Sequence, residues 1–131
     1  MATEKDPITC HVLDTTAGRP AANITVRLEG PESKGSTLPA EHLYTAVTDA
    51  DGRVKRWQLA PGRPTTTSLA ETLGAIQGPS QWRLTFDTES YFGADKTFFP
   101  EAVVVFRVEE GQHYHVPLLL SPFTFTTYRG S

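Results

Sequence analysis

Apolar and polar residues alternate along this chain in short runs separated by turn-forming residues, the period-2 signature of half-buried strands. In residues 8–14 (ITCHVLD), Ile8, Cys10 and Val12 share one face and His11 and Leu13 the other. Residues 23–29 (NITVRLE) repeat the pattern, with Ile24, Val26 and Leu28 inward and Thr25 and Arg27 outward. Residues 42–48 make a third run. Asp51-Gly52 then predicts a tight hairpin, because both turn positions favour φ > 0, with residues 53–59 returning as the partner strand. Residues 81–87 put Trp82, Leu84 and Phe86 on one face, and residues 102–108 (AVVVFRV) are heavily apolar. In the closing stretch, HYHVPLLLSPFTFTTYRGS, Tyr114, Val116, Leu118 and Leu120 read as core. His113, His115, Pro117, Leu119 and Ser121 face the other way, an apolar surface with imidazole at one end that suits a cavity wall or an interface. Ser121-Pro122 breaks that ladder, since proline has no N–H to donate, and residues 123–128 form a last short strand.

The segments between these runs are turn-like, and residues 88–95 can form one short helix. Residues 1–7 are polar and are expected to be flexible. Residues 61–80 form a long loop rich in Gly, Pro, Thr and Ser, of the kind that is usually functional or mobile. Within it, residues 68–76 can make two helical turns, with Ser68 as cap and Glu71 at the third position. Eight short strands with frequent turns predict an all-β sandwich, and the whole of residues 1–131 reads as a single domain.

Composition narrows the function classes. The length, 131 residues, suits one domain with a real core. A net charge of -3 with mixed signs argues against a nucleic-acid or membrane-surface partner, which needs a concentrated basic field. The single cysteine, Cys10, excludes an intrachain disulfide and fits a reducing compartment. There is no apolar run of membrane-spanning length, no signal peptide and no Ser-Lys-Leu ending, so a cytoplasmic protein is expected, with the peroxisome left open.

The residues that can carry chemistry are few. His113 and His115 lie two apart on one strand face, as some zinc sites begin, with His11 or His42 as a third ligand; the motif is common, and a structural reading is favoured. Cys10 and His11 point to opposite faces, so they cannot form a dyad, and Cys10 reads as a small buried hydrophobe. Arg53 alone would be a solvated hairpin residue. Ser131 has no G-x-S-x-G context to make it a nucleophile.

A set of short motifs in fixed order resembles the 5-hydroxyisourate hydrolase branch of the transthyretin family. It runs from His11-Val12-Leu13-Asp14 through Gly18, Pro20-Ala21, Thr48-Asp49 and Asp51-Gly52-Arg53. It continues with Phe86-Asp87-Thr88, Tyr91-Phe92 and Phe98-Phe99-Pro100-Glu101, then residues 113–119 and the closing Tyr128-Arg129-Gly130-Ser131. The resemblance implies a transthyretin-like sandwich of two four-stranded sheets with one short helix, assembled as a homotetramer, a dimer of dimers around a central channel. His115, Pro117 and Leu119 would line that channel. It implies His11, Arg53 and His115 as catalytic residues and Tyr128, Arg129, Gly130 and Ser131 as substrate-binding residues, without cofactor or metal. Transthyretins proper carry lysine, glutamate and threonine where His11, Arg53 and His115 stand, and lack the closing Tyr-Arg-Gly-Ser.

The implied reaction is hydrolytic ring opening of 5-hydroxyisourate to 2-oxo-4-hydroxy-4-carboxy-5-ureidoimidazoline in urate degradation. A neutral histidine, His11 or His115, would activate water, and Arg53 would hold the developing oxyanion. Tyr128 and the Ser131 hydroxyl or carboxylate would position substrate and water. Two other readings remain: a non-catalytic transthyretin-like carrier, and a zinc hydrolase using His11, His113 and His115. The loop at 61–80 is longer than the resemblance leads one to expect, and is predicted to modulate access, changing KM more than kcat when removed.

Overall fold

The computed structural model describes residues 5–33, 35 and 38–131. The expected flexibility of the first four residues, and part of the loop at 30–35, fall outside them. Asp6 and Pro7, expected to fray, are instead held. The Asp6 N–H donates to Lys55 O (2.8 Å) and the Tyr114 N–H to Pro7 O (2.7 Å). The Asp6 carboxylate accepts from the Trp57 N–H (2.7 Å).

Ten strands and two short helices appear among the described residues. They are β1 (Ile8–Asp14), β2 (Arg19–Pro20), β3 (Thr25–Gly30), β4 (His42–Val47), β5 (Arg53–Val54), β6 (Gln58–Leu59), α1 (Leu69–Gly74), β7 (Ser80–Phe86), α2 (Thr88–Phe92), β8 (Ala102–Val108), β9 (Tyr114–Ser121) and β10 (Thr124–Thr127). They form two sheets. One runs β10-β9-β1-β2 with β5 also on β1; the other runs β6-β4-β3-β7-β8. Each sheet therefore has five strands against the expected four, because two-residue segments join its edges. A second helix joins the expected one: α1 carries the capping box foreseen at Ser68 and Glu71.

The inner faces are those that alternation assigned. Ile8, Cys10 and Val12 of β1 and Leu118 and Leu120 of β9 meet Val26, Leu28, Trp82, Leu84 and Phe86 across the sandwich, all fully buried. The 61–80 segment is not a free fringe. Leu69 enters the core, and Thr72 is buried beneath it, where its hydroxyl shares a hydrogen-bond network with Tyr44 OH (2.5 Å) and Thr67 Oγ1 (2.7 Å).

The expected two-residue hairpin at Asp51-Gly52 does not form, and of residues 53–59 only Gln58–Leu59 (β6) returns to pair antiparallel with β4. The turn is closed by the Gly52 N–H donating to Asp49 O (2.9 Å). The Asp49 carboxylate accepts from the N–H groups of Asp51 (2.9 Å) and Arg53 (3.0 Å). Gly52 has φ +75°, but Asp51 is not in the left-handed region. The chain leaves β4 here and crosses to the opposite sheet, where β5 pairs with β1. Gly52 is required by proximity as well as by φ: a Cβ there would stand 2.3 Å from Val12 O.

This crossing and one long-range pairing build the outer face of the first sheet. β1 and β9 run parallel, with Thr9 opposite His115 and His11 opposite Pro117. β5 runs antiparallel on the other side of β1, with Arg53 opposite His11. Because strands alternate, all of these side chains emerge on the face away from the core.

Candidate active site

A cleft of about 260 Å³ opens on that outer face, its polar lining Lys5, Asp6, Thr9, Arg53, His113, His115 and Ser131. Three sequence-predicted residues, Arg53, His115 and Ser131, thus border one cavity. His11 lies one step along the sheet, its ring centroid 6.3 Å from that of His115 and tilted by 37°.

The two imidazoles are held differently. His11 Nε2 lies 2.9 Å from Asp51 O. A carbonyl only accepts, so the neutral ring carries its hydrogen on Nε2 and donates it to the crossing turn. His115 Nδ1 lies 2.8 Å from Thr9 Oγ1. Partial burial pushes the His115 pKa below its ordinary value, and the nearby Arg53, His11 and Lys5 side chains push in the same direction. Both effects favour the neutral form of the His115 imidazole. Among the described residues the Arg53 guanidinium has no carboxylate within ion-pair distance. An unpaired cation beside an uncharged base can receive an anion or a developing oxyanion.

The closing tetrapeptide divides in two. The Gly130 N–H donates to His115 O (2.8 Å), forming an isolated bridge that lays the backbone against the imidazole. A Cβ on Gly130 would approach His115 Cδ2 to 2.8 Å, so glycine allows the contact. Ser131 then reaches the cleft. Tyr128 and Arg129 face another opening of about 430 Å³, between the β8 and β10 edges, which also reaches His115. Arg129 stacks 4.5 Å over the Tyr114 ring and donates to Gln112 Oε1 (3.3 Å).

His113 borders the cleft, yet no three His, Cys, Asp or Glu side chains among the described residues are gathered as metal ligands. Cys10 is buried on the core face with its thiol pushed up to about 12 by desolvation, which leaves it no nucleophilic role. Sequence reading missed Thr9, Lys5 and the Asp51 carbonyl. Thr9 reaches His115 through a strand pairing between the two ends of the chain, and the Asp51 carbonyl reaches His11 through the crossing turn; no local pattern encodes either contact.

The family model described as HIUase/Transthyretin family matches residues 8–130. The 5-hydroxyisourate hydrolase of Mus musculus is 40% identical over 137 aligned positions, covering 100% of both chains. The solved structure of Klebsiella pneumoniae 5-hydroxyisourate hydrolase superposes with a TM-score of 0.63 at 29% identity, covering 95% of this chain and 98% of that one. A sea bream transthyretin in complex with thyroxine superposes with a TM-score of 0.68 at 28% identity, covering 95% and 94%. No helix among the described residues is long and apolar enough to cross a membrane. With a sandwich of this topology and a match across nearly its whole length, the chain belongs to the HIUase/transthyretin family.

Proposed function

We propose that this chain is a 5-hydroxyisourate hydrolase, opening the six-membered ring of its substrate without a cofactor. The observation that carries the reading is Arg53, unpaired, in one cleft with His115, whose pKa is lowered. Fold likeness does not separate enzyme from carrier, since the transthyretin superposes as well as the hydrolase. The side chains do: a carrier has no use for a base and a free cation on this face, and hydrolysis needs both.

In the proposed mechanism, neutral His115 takes a proton from water as the oxygen attacks the ring amide carbonyl. Arg53 holds the oxyanion that forms. The C–N bond then breaks and the departing ring nitrogen takes the proton back from the imidazolium. His115 is assigned as base over His11 because His11 commits Nε2 to Asp51 O and lies outside the cleft lining. Ser131 and the Gly130 backbone position substrate and water at the cleft; Tyr128 and Arg129 act from the neighbouring opening. The proposed assembly is a dimer of dimers. It fits β8 and β10, each of which has a hydrogen-bonded neighbour on one side only among the described residues. A cytoplasmic location completes the reading.

The test is the absorbance decay of 5-hydroxyisourate freshly generated from urate by urate oxidase. Fast decay that resists chelation and is lost in His115→Ala and Arg53→Ala supports the hydrolase. Decay at the spontaneous rate from folded wild-type protein removes it and restores the carrier reading. Decay abolished by chelator would point to the zinc hydrolase instead.

A further inference from the structure

We propose that Thr9 is a positioning residue that fixes the tautomer of His115, holding the ring hydrogen on Nδ1 so that Nε2 keeps its lone pair open to the cleft. The inference deepens the hydrolase reading and rests on it for its catalytic meaning.

The parallel register sets Thr9 directly beside His115 on the outer face. Thr9 Oγ1 lies 2.8 Å from His115 Nδ1 and 3.5 Å from the backbone oxygen of Tyr114. A hydroxyl has one hydrogen and two acceptor lone pairs. The contact at 2.8 Å fits a hydrogen bond in either direction. The Tyr114 carbonyl can only accept, and in the proposed arrangement it takes the Thr9 hydrogen, so that a lone pair of Oγ1 faces Nδ1 and that nitrogen donates. A neutral imidazole has one N–H, so Nε2 is left bare. Among the described residues Nε2 has no hydrogen-bond partner. The opposite edge of the ring is fixed as well: Gly130 packs so closely on Cδ2 that a methyl would not fit. Thr9 is β-branched on a strand, where few χ1 rotamers are open to it, so its oxygen is itself well placed. The ring is thus clamped at Nδ1 and Cδ2, and the nitrogen left unclamped is the one a water molecule would meet.

The experiment compares wild type with Thr9→Val and Thr9→Ser in the full chain. Valine keeps the branched shape and removes the oxygen; serine keeps the oxygen. Nitrogen-15 NMR of the imidazole at neutral pH reads the tautomer, and turnover of freshly generated 5-hydroxyisourate reads kcat and KM. The expected wild-type spectrum shows a protonated Nδ1 and an unprotonated Nε2 at His115. In Thr9→Val this preference is lost, and kcat falls about 10- to 100-fold, the usual range for outer-shell partners, with KM nearly unchanged. Thr9→Ser recovers both. A wild-type spectrum with the hydrogen on Nε2, or a Thr9→Val protein with unaltered tautomer and kcat, overturns the proposal. If Thr9→Val does not fold, the wild-type spectrum together with Thr9→Ser still decides it. A folded wild type that does not turn over the substrate overturns the hydrolase reading, and the spectrum then decides the tautomer independently.

Discussion

The same small device occurs twice in this molecule. In the first sheet, His115 Nδ1 meets the Thr9 hydroxyl at 2.8 Å, and that hydroxyl lies 3.5 Å from a backbone carbonyl. In the second, His42 Nδ1 meets the Thr65 hydroxyl at 2.7 Å, and that hydroxyl donates to Glu41 O at 3.3 Å. Only the electrostatic setting differs. His42 Nε2 looks toward the Glu41 carboxylate, 3.7 Å away. Two arginines near that sheet are also neutralised, Arg63 by Glu29 (3.2 Å) and Arg83 by Glu32 (2.8 Å). His115 instead shares its cleft with the unpaired Arg53, with Lys5 at the rim. A threonine-held histidine is therefore not a site in itself. A cation without an ion-pair partner, set beside the imidazole in a concave lining, makes it one.

The comparison breaks most visibly by deletion. His115→Ala and Arg53→Ala should each lower kcat/KM by roughly 10²- to 10⁴-fold, the range for a general base or an oxyanion donor. His42→Ala should stay within about twofold, since a rim or structural change leaves the transition state untouched. Equal losses at His42 and His115 would mean that the charge setting is irrelevant. A subtler break is Gly130→Ala, which pushes on the His115 ring without changing charge. Its Cβ must displace a ring atom 2.8 Å away, so kcat should drop on the order of tenfold while the thermal midpoint moves little.

Acidity sharpens the comparison further. The folded His115 pKa lies below the ordinary 6.5, chiefly through desolvation. The acid limb of kcat/KM should accordingly fall below pH 6.5, and Arg53→Ala should shift it upward by removing a repelling charge. For stability the sign is also fixed. The unfolded chain binds a proton at His115 more readily, so its contribution is fully present above pH 6.5 and is lost as pH falls toward the folded pKa. Titration of a denaturant midpoint against pH, wild type beside His115→Ala, reads it; a slope unaffected by the substitution would contradict the shift. The smallest expected effect lies outside the site. Ser68→Ala removes the cap of α1 and should cost about 1 kcal/mol without altering kcat.

Much of this was legible in the sequence. Alternation alone sent Ile8, Cys10 and Val12 into the core and His11 and His115 out of it, because side-chain period is a local property of a strand. Strand partnership is not local. Asp51-Gly52 announced a reversal correctly, but nothing in those residues says that the next strand joins β1 rather than β4. Thr9 carried no signal because its meaning comes from a partner 106 positions away. Likewise the closing tetrapeptide reads as one motif, although Gly130 sits against His115 while Arg129 turns to Tyr114 and Gln112.

The parallel pairing of β1 with β9 also has a consequence for how the protein is made. β1 leaves the ribosome early, but β9, its central partner in the sheet, follows more than 100 residues later, a wait of roughly 5–20 s at ordinary synthesis speeds. During that interval Ile8, Cys10 and Val12 have only part of their burial available, while β3, β4 and β7 can already pair among themselves. The second sheet can therefore assemble as the chain emerges, whereas the outer face of the first sheet, begun when β5 joins β1, is completed only when β9 arrives.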